Sequence, residues 1–354
     1  MERVRFEDIV TRVNTKEDRF NTDKIYYVGG EHIESNDIKV HQRGIIKGST
    51  IGPMFYCGFK AGDVLFVTRN PHLRKCAIVD FDGICSEKTF VLGTKDSSRL
   101  LQEYLPLIMQ SDDFWAYCEE NKSGGVNFFV NWSTLANYEF ELPSLDEQRV
   151  LADKLWAAYE VKESYKNLLA QTDKLLHAQF EKMFGEETNI KSWKDVLTIR
   201  NGKAYPKEYL EEGPYPIYGS GGVMGYAEDY LFDEDTIIVG RKGNINNPIL
   251  VREKYWTVDT AFCLDIDKKI LNPIYFYNWC QQFDFTYFNK QGVLPSLTRT
   301  DLYTIKMPVP PMQKQLEFVR IAEQAEQTKA SLNKGIEAIE AVIRSLIAEG
   351  TTKV

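Results

Sequence analysis

The sequence lacks the patterns that mark metal sites and disulfide-stabilised folds. Its six cysteines include no C-x-x-C pair, and its four histidines form no H-x-x-x-H pair or comparable cluster. Such spacings supply the ligands of zinc sites and the pairs of disulfide frameworks. Neither kind of site is therefore predicted, and the thiols are expected to be reduced, as in the cytosol.

Long hydrophobic runs are also missing. No segment approaches the roughly 18 apolar residues of a membrane-spanning helix, and the first residues, MERVRFEDIVTRV, have no apolar core of signal-peptide length. The composition, with 43% hydrophobic and 13% aromatic residues over 354 positions, is sufficient for two or three folded domains. These features predict a soluble cytoplasmic protein without a membrane segment.

Catalytic motifs are absent in the same way. The glycine-rich stretch YPIYGSGGVMGYAEDY (215–230) lacks the Gly-Lys-Ser/Thr ending of a P-loop, and its last glycine lies one residue too late for a dinucleotide fingerprint. NNPIL (246–250) lacks the second proline and the aromatic residue of the Asn/Asp-Pro-Pro-Tyr/Phe motif of adenine methyltransferases. In DFDGICSEKT (80–89), Lys88 directly follows Glu87, which does not fit the Glu/Asp-x-Lys spacing of metal-dependent nucleases. We therefore predict no catalytic residue and no enzyme activity in this chain.

The balance of charge is acidic, with one basic exception. A net charge of −8 argues against a protein that coats DNA, because sequence-independent DNA affinity comes from neutralising phosphates with lysine and arginine. Within residues 237–256, however, four basic residues face a single acidic one, Glu253. The basic residues are Arg241, Lys242, Arg252 and Lys254. A local basic patch is therefore compatible with the overall charge.

Two parts of the chain repeat each other at an offset of 167 residues. LPSLDEQ (142–148) aligns with VPPMQKQ (309–315), so that Gln148 falls on Gln315. Beyond both segments, seam residues recur in alternating steps of four and three, which is the spacing of a coiled coil and predicts two long helices. The seam positions are Leu151, Leu155, Ala158, Lys162, Tyr165, Leu169, Thr172, Leu176 and Gln179 in the first copy, and Phe318, Ala322, Ala325, Lys329, Leu332, Ile336, Ile339, Ile343 and Leu346 in the second.

Pairing of these helices is favoured over two separate amphipathic helices. Both seams have the same register, and each has a lysine at the same interior position, a device that fixes register at some expense of stability. Two similar globules, each followed by a long helix, can pair the helices antiparallel when the halves are related by a pseudo-twofold axis. The candidate pairing residues are Leu151, Leu155, Lys162, Leu169, Leu176, Phe318, Lys329, Leu332, Ile336 and Ile343.

The regions before the helices also match, at an offset of 172. VLFVTRNPHLRKCAIVDFDGICSEKTFVL aligns with TIIVGRKGNINNPILVREKYWTVDTAFCL, which puts Arg69 on Arg241 and Phe90 on Phe262. Each copy reads as a strand, a basic turn and two further strands, with β-branched and aromatic residues throughout. The predicted organisation is a globule at 1–145, a helix at 146–185, a second globule at 186–310 and a second helix at 311–354.

These features together resemble the specificity subunit of a type I restriction-modification system. The matching segments, in the order of that family and over nearly the whole chain, are GDVLFVTRN (62–70), YPIYGSGGVMGY (215–226), TIIVGRKGNI (236–245), GVLPSL (292–297) and the two Pro-to-Gln helix entries. The resemblance implies an α+β fold, in which two mixed α/β target recognition domains are related by pseudo-twofold symmetry and separated by two long antiparallel coiled-coil helices.

The resemblance also implies a function and partners. Each recognition domain would read half of a bipartite target on double-stranded DNA. The helices would dock two DNA-adenine methyltransferase subunits, which restriction subunits then join. S-adenosylmethionine is expected in the partner methyltransferase, and no cofactor is expected on this chain.

Candidate DNA-binding residues follow from the basic and glycine-rich loops. Glycine lets the backbone approach a groove or a phosphate, hydroxyls can bond to phosphates or base edges, and arginine can read guanine with two hydrogen bonds. The candidates are Arg69, Asn70, Arg74, Lys75, Lys88, Tyr218, Ser220, Gly221, Arg241, Lys242, Lys290 and Arg299. The simpler interpretations are a tight hairpin turn at YGSGG and ordinary surface charge at the arginines.

Two matters stay open at the level of sequence. The first copy has GGVNFFVN (124–131) where the second has QGVLPSLT, and it has IIKGSTIGPMFY instead of a YGSGG run. Its DNA-facing loops are therefore less defined. The alternative function is a coiled-coil scaffold with two protein-binding heads and no DNA contact, which the acidic balance allows and the basic segment 241–254 disfavours.

Overall fold

The computed structural model describes residues 2–288 and 295–351, and the chain divides into two units. The first unit is Met1–Tyr165 with Gly335–Val354, and the second is Lys166–Lys334. Each unit therefore contains one globule, the beginning of the long helix that follows it and the end of the other long helix. No helix among the described residues is long and apolar enough to cross a membrane.

The first half of the chain has eleven strands and five helices among its described residues. The strands are β1 (Glu2–Arg5), β2 (Val10–Val13), β3 (Thr15–Lys16), β4 (Tyr26–Val28), β5 (Gly44–Ile45), β6 (Phe55–Phe59), β7 (Val64–Val67), β8 (Cys76–Ile78), β9 (Gly83–Ser86), β10 (Thr89–Thr94) and β11 (Glu139–Leu142). The α-helices are α1 (Phe6–Ile9), α2 (Leu105–Gln110), α3 (Asp112–Glu120), α4 (Trp132–Ala136) and α5 (Leu145–Phe184). Short 3₁₀ helices lie at Gly30–His32, Pro71–Leu73 and Gln102–Tyr104.

The described residues of the second half contain nine strands and four α-helices. The strands are β12 (Ile190–Ser192), β13 (Leu197–Asn201), β14 (Tyr215–Gly219), β15 (Gly222–Ala227), β16 (Thr236–Gly240), β17 (Ile249–Val251), β18 (Trp256–Thr257), β19 (Ala261–Ile266) and β20 (Lys306–Pro308). The helices are α6 (Trp193–Val196), α7 (Pro273–Gln282), α8 (Arg299–Leu302) and α9 (Met312–Thr351), with a 3₁₀ helix at Phe285–Phe288.

Two of the sheets in each unit have the same topology. A four-stranded antiparallel sheet has the order β2-β10-β7-β8 in the first unit and β13-β19-β16-β17 in the second, and a two-stranded sheet pairs β1 with β11 or β12 with β20. The third sheets differ, because the first unit has five strands, β3-β6-β9-β4-β5, and the second has three, β15-β14-β18. The duplication seen in the sequence is therefore a duplication of the four-stranded sheet, with a different sheet attached to each copy.

The ladders correct the alignment of the two copies by one residue. Val67 pairs with Thr89, and Gly240 pairs with Ala261. The second strand of each pair follows the predicted offset of 172, but the first is offset by 173, because the segment between the strands is one residue shorter in the second unit. The match of Arg69 with Arg241 is therefore wrong, and the structural counterpart of Arg69 is Lys242.

Each four-stranded sheet has apolar side chains on both faces. Along β7, Val64 and Phe66 belong to the core shared with the helices, whereas Leu65 packs into a second cluster with the five-stranded sheet. Along β16, Ile237 and Val239 join the helix-side core and Ile238 the opposite cluster. The near-continuous apolar runs of these strands follow from burial on both faces.

The long helices run antiparallel within each unit. In the first unit, Leu151 and Leu155 of α5 share a core with Ile343 and Leu346 of α9, and a Cβ on Gly335 would lie 2.5 Å from the ring of Tyr165. As numbers rise along α5, those of its neighbours in α9 fall, so the segments are antiparallel.

The second unit repeats this arrangement with larger side chains. Phe180 and Phe184 of α5 contact Phe318 of α9 with ring centroids 5.0 and 5.7 Å apart, and Lys329 binds Asp173 with Nζ 3.0 Å from Oδ1. All nine seam positions of each helix are buried or partly buried. The predicted α+β class with two long antiparallel helices is confirmed.

The two seam lysines have different surroundings. Lys162 is buried, with Nζ 4.0 Å from Asp37 Oδ2 and 4.5 Å from the centre of the Tyr159 ring. Lys329 instead pairs with Glu326 on its own helix and with Asp173 across the helix pair. The first lysine therefore ties its helix to the globule, and the second ties the two helices together.

The two helix entries are held by matched glutamines. Gln148 Oε1 accepts a hydrogen bond from Leu101 N at 3.0 Å, and its Nε2 donates to the carbonyls of Arg99 and Pro143. In the second unit, Gln315 Oε1 accepts from Asn272 N at 2.8 Å and its Nε2 donates to the carbonyls of Ile270 and Pro310. Both side chains are fully buried. The conserved-looking Pro-to-Gln spacing is thus explained by a structural connection between helix and globule.

Candidate nucleic-acid interface

The glycine-rich stretch of the second unit forms a β-hairpin. Strands β14 and β15 pair from Tyr215 with Ala227 to Gly219 with Gly222, which leaves Ser220 and Gly221 as a two-residue loop. Gly221 is exposed, and nothing lies within 4 Å of where its Cβ would be. The loop therefore presents its backbone to the surroundings, and the hairpin geometry is compatible both with a plain turn and with contact to a ligand.

The tip of the hairpin lies beside the end of β16. A Cβ on Gly240 would be 3.1 Å from Ser220 Cβ, and one on Gly243 would be 3.7 Å from Ser220 Oγ. Tyr218 is partly buried, and its carbonyl accepts hydrogen bonds from Val258 N and Thr257 Oγ1 at 3.0 and 2.9 Å. The structure therefore brings the predicted residues Tyr218, Ser220 and Gly221 to the segment that carries Arg241 and Lys242.

Glycine at 240 is required by the close approach of the following loop. A Cβ at this position would lie 2.0 Å from the carbonyl oxygen of Asn244, which is far inside van der Waals contact. The backbone therefore turns back tightly after β16, and Arg241 and Lys242 lie at the start of this turn.

Arg241 and Lys242 carry charges that other side chains do not neutralise. Arg241 donates from Nη1 to the carbonyl of Asp259 at 3.4 Å, and its guanidinium lies 5.8 Å from the Phe262 ring. The side chain of Lys242 is exposed. Within the described parts of the chain, neither residue has a carboxylate within ion-pair distance, whereas nearby Lys254 lies 3.8 Å from Asp233. Both cations are therefore available to an anionic ligand.

A short backbone ladder fixes the position of these two residues. Lys242 forms a bridge with Ser296, Leu297 N donates to the carbonyl of Arg241 at 2.9 Å, and Gly243 N donates to the carbonyl of Pro295 at 3.1 Å. Residues 295–297 belong to the predicted GVLPSL segment. The basic turn is therefore held on a described part of that segment.

The first unit repeats this ladder 167 residues earlier. Arg69 forms a bridge with Phe129, Val130 N donates to the carbonyl of Thr68 at 2.9 Å, and Asn70 N donates to the carbonyl of Phe128 at 3.0 Å. The segments GGVNFFVN and QGVLPSLT are therefore structural equivalents in spite of their different sequences.

The residue after the basic position is left-handed in both copies. Asn70 has a φ of 53° and Gly243 a φ of 78°. Asparagine and glycine are the residues that adopt this conformation most readily. The matched conformations show that both units turn the chain in the same way after Arg69 or Lys242.

Arg69 is partly buried and is held by this ladder. Its Nη1 donates to the carbonyl of Asn127 at 3.4 Å, and its guanidinium lies 5.0 Å from the ring of Phe129. Lys88 lies close by in the chain fold, since its carbonyl accepts hydrogen bonds from Thr68 N and Oγ1. The structure therefore brings Arg69, Asn70 and Lys88 to one end of the four-stranded sheet.

The remaining predicted residues are engaged by protein groups or lie apart. Arg74 binds Asp112 with Nη1 2.6 Å from Oδ1, Lys75 donates to the carbonyl of Gly30 at 2.6 Å, and the ammonium of Lys88 is 2.8 Å from Glu87 Oε1. Arg299 begins α8 and donates to the carbonyl of Ile199. Lys290 lies outside the described residues.

Sequence reasoning missed the residues that support the basic turns. Asn127 and Phe129 position the Arg69 side chain, and Thr260 accepts from Arg241 N through its carbonyl at 2.7 Å. These contacts involve backbone groups and an aromatic ring distant in sequence, so composition and motif gave no signal for them. Lys203, exposed in the basic stretch NGKAY, was also missed; its backbone N donates to Thr257 O, next to the hairpin.

The site contains polar donors but no metal-binding cluster. Partial burial raises the pKa of Tyr218, so its hydroxyl remains protonated at neutral pH. No group of three or more histidine, cysteine or carboxylate residues suited to a metal ion occurs in 2–288 and 295–351. The arrangement offers exposed cations, hydroxyls and open backbone, which suits electrostatic and hydrogen-bonded contact with a polyanion.

The fold and these loops define a class of protein in which two related α+β units each place a basic turn at the end of a four-stranded sheet. Residues 185–341 match the family model described as the type I restriction modification DNA specificity domain. These residues therefore belong to that family, and the resemblance stated from the sequence is confirmed.

Individual relatives agree with this assignment. A protein of Haemophilus influenzae assigned as a type I restriction enzyme specificity subunit is 25% identical over 145 residues, which is 39% of this chain and 37% of that protein. The S subunit of a type I restriction-modification system from M. genitalium has the same fold, with a TM-score of 0.64 and 16% identity over 100% of this chain and 96% of that one.

A further solved structure, described as showing complex assembly and conformational transition of the type I R-M system, gives a TM-score of 0.59 with 17% identity. It covers 99% of this chain and 97% of that chain. At these identities the solved structures establish the fold.

Proposed function

We propose that this chain is the DNA-binding specificity subunit of a type I restriction-modification complex and recognises a bipartite target on double-stranded DNA. Each unit reads one half of the target with the turn that follows the first strand of its four-stranded sheet. The chain itself catalyses no reaction. S-adenosylmethionine is bound by partner methyltransferase subunits, and restriction subunits join that assembly.

The observation that carries this proposal is the repeated ladder in the two units. Arg69 with Phe129 and Lys242 with Ser296 form the same backbone bridge, followed in each case by a left-handed residue. A repeated cationic turn on a repeated sheet supports two readers of similar geometry, whereas different flanking side chains support two different half-sites. A bipartite target is the expected consequence.

The chemistry of the turn suggests a division of roles. Lys242 is exposed and is a point charge, which suits contact with a phosphate. The guanidiniums of Arg69 and Arg241 lie near aromatic rings and carbonyls, which restricts their orientation and suits directional contact with a base or with paired phosphate oxygens. The Ser220–Gly221 loop adds a hydroxyl and an open backbone beside these cations.

The long helices supply a surface for the methyltransferase subunits. Leu168 and Leu175 of α5 are 46% and 70% exposed and lie seven residues apart, hence on the same face of the helix. This face is distinct from the seam, whose positions are buried or partly buried. Exposed leucines at such spacing support docking of an apolar partner surface.

The test is to express the chain with and without methyltransferase subunits of a type I system, isolate the complex and map adenine methylation by single-molecule sequencing. We expect methylation of one two-part motif with a fixed gap, dependent on both proteins. A stable complex that methylates no motif would overturn the recognition function. Failure to form any complex would overturn the docking function and favour a scaffold with other partners.

A further inference from the structure

The first unit contains two cysteines that are direct neighbours across a pair of strands. Cys57 of β6 and Cys85 of β9 are register partners in the antiparallel ladder of the five-stranded sheet. Directly opposed residues in such a ladder have Cα atoms about 4.5–5.5 Å apart. Disulfides require a separation of about 4.4–6.8 Å, so the backbone already has a suitable spacing.

A break in the regular ladder lies next to this pair. The register shifts between Phe55 and Cys57, which leaves Tyr56 as the extra residue of a bulge. Bulges twist and bend the strand locally, and they give side chains beside them more freedom to reorient. The Tyr56 hydroxyl donates to Glu87 Oε2 at 2.9 Å, so the bulge is anchored on the strand partner's side of the sheet.

The two sulfur atoms differ in access and in acidity. Cys57 is partly exposed and Cys85 is fully buried, and the other four cysteines are buried as well. The hydrogen bond from the Cys85 thiol lowers the pKa of Cys57 to about 7, in spite of partial burial. The same hydrogen bond and burial raise the pKa of Cys85. A reactive thiolate therefore lies against a protonated thiol.

The remaining cysteines provide no comparable pair. Cys76 donates to the sulfur of Met109 at 3.8 Å, and burial raises the pKa values of Cys76, Cys118 and Cys280. Cys263 of β19 has Arg200 and Ile238 as its ladder partners. Of the six cysteines, only Cys57 and Cys85 are register partners of each other.

We propose that Cys57 and Cys85 form a reversible disulfide when the chain meets a peroxide, so that this strand pair is a site of oxidative modification. Cys57 is the attacking residue and Cys85 the resolving one. This proposal does not depend on the DNA-recognition function, because it concerns only the chemistry of the sheet.

The reaction is balanced in two steps. The Cys57 thiolate attacks one oxygen of hydrogen peroxide; an S–O bond forms, the O–O bond breaks, and the hydroxide that leaves takes up a proton to become water. Cys57 is then a sulfenic acid, oxidised by two electrons, and the peroxide is reduced. The Cys85 sulfur attacks the Cys57 sulfur, an S–S bond replaces the S–O bond, and the hydroxyl group leaves as water with the Cys85 proton.

Mass spectrometry of the wild-type chain is the direct test. The folded chain is treated with hydrogen peroxide, alkylated without reductant, digested and analysed for linked peptides. We expect one intrachain disulfide joining the peptides of Cys57 and Cys85, which disappears after treatment with dithiothreitol. Recovery of both cysteines as alkylated thiols, or links that form equally in urea-denatured protein, would overturn the proposal.

Three variants distinguish attack from resolution. Cys85→Ala is expected to stop at a Cys57 sulfenic acid that dimedone traps, and Cys57→Ala to abolish both the sulfenic acid and the disulfide. Cys118→Ala, which removes a buried cysteine of the same unit, is the matched control and retains the disulfide. Trapping at Cys85 in the Cys57→Ala variant, with circular dichroism showing native folding, would contradict the assigned order.

Discussion

Gln148 and Gln315, 167 residues apart in the sequence, make the same three hydrogen bonds at equivalent places in the two units. Each accepts from one backbone N–H and donates to two backbone carbonyls, one of them the carbonyl of the proline five residues earlier. A buried amide that satisfies three backbone groups fixes the direction in which the long helix leaves the globule. The duplicated spacing therefore records a mechanical requirement of the fold and not a contact with ligand.

Replacing these glutamines should destabilise the unit that contains them. Gln148→Ala leaves buried backbone groups of Leu101, Arg99 and Pro143 without partners, and each unpaired buried group costs roughly 1–3 kcal/mol. We expect a loss of about 3 kcal/mol in the free energy of unfolding, measured by urea denaturation. Gln313→Ala, at an exposed position on α9, is the control. Equal midpoints for Gln148→Ala and the wild type would show that the hydrogen bonds are dispensable.

Lys242 should contribute to DNA affinity without contributing to folding. Its side chain is exposed and unpaired among the described residues, so Lys242→Ala should leave the thermal midpoint unchanged. If it contacts one phosphate, the slope of log K against log salt should fall in magnitude by about 0.9, which is the value for one phosphate of duplex DNA. Fluorescence anisotropy with target DNA at several salt concentrations measures this slope.

The control for this experiment is Lys207→Ala in the same unit. Lys207 already pairs with Glu228, with Nζ 2.6 Å from Oε2, so its removal should not change the salt slope. An unchanged slope for Lys242→Ala would exclude the phosphate contact, and a changed preference among base sequences would instead assign base readout.

The helices were predictable because their pattern is long and one-sided. Alternating steps of four and three recur from Leu151 to Gln179 and from Phe318 to Leu346, and every one of these positions is buried or partly buried. Packing of a single helix face against a neighbour imposes this period over many turns. The repeated lysine was also visible, but its partners were not: Lys162 binds a globule residue, Asp37, and Lys329 binds Asp173 of the other helix.

The loops were harder to predict because their geometry depends on single residues. Identical letters suggested that Arg69 corresponds to Arg241, but one residue fewer in the following segment moves the correspondence to Lys242. The five-stranded sheet of the first unit was not predicted either. Its shortest strands, β3 and β5, have two residues each, which is too short for a periodic pattern to appear.

The exposed face of α5 should be needed for methyltransferase docking but not for folding. Leu175 is 70% exposed, so Leu175→Glu should preserve the helix while placing a charge on the proposed contact surface. We expect loss of the complex in size-exclusion chromatography with an unchanged thermal midpoint. Gln171→Glu, also exposed on α5, should bind normally; binding by Leu175→Glu as strong as that of this control would move the docking surface elsewhere.

A seam substitution should behave differently. Ile336 of α9 is partly buried on the seam, so Ile336→Asp introduces a charge between the paired helices and should break their pairing. We expect loss of methyltransferase binding and a lower thermal midpoint, with near-native sheet content by circular dichroism because the globules keep their own cores. Normal complex formation by Ile336→Asp would refute the requirement for helix pairing.

Alkylation of Cys57 should show an unusual dependence on pH. With its pKa lowered to about 7 by the hydrogen bond from Cys85, Cys57 should be half reactive near pH 7, whereas an ordinary thiol in this scale titrates at 9.0. Rates with iodoacetamide, followed by peptide mapping between pH 5 and pH 10 as roughly chosen limits around these values, measure this. Cys85→Ala should move the midpoint upward, and an unmoved midpoint would remove Cys85 as the cause.

The ion pair between Lys329 and Asp173 should couple the two helices of the second unit. Both side chains are partly exposed, so a double-mutant cycle with Lys329→Met and Asp173→Asn should give a coupling of about 0.5 kcal/mol at neutral pH. Burial alone would lower the pKa of Lys329, but hydrogen bonds to Glu326 and Asp173 outweigh it and raise the pKa above 10.5.

Because the folded pKa is the higher one, the stabilisation from Lys329 is complete below pH 10.5 and decreases as the pH rises through the folded pKa. Urea denaturation of the four proteins of the cycle, at neutral pH and again above the folded pKa, tests this direction. A coupling that persists unchanged in the alkaline series would show that packing of the lysine stem, and not its charge, joins α5 to α9 at this level of the seam.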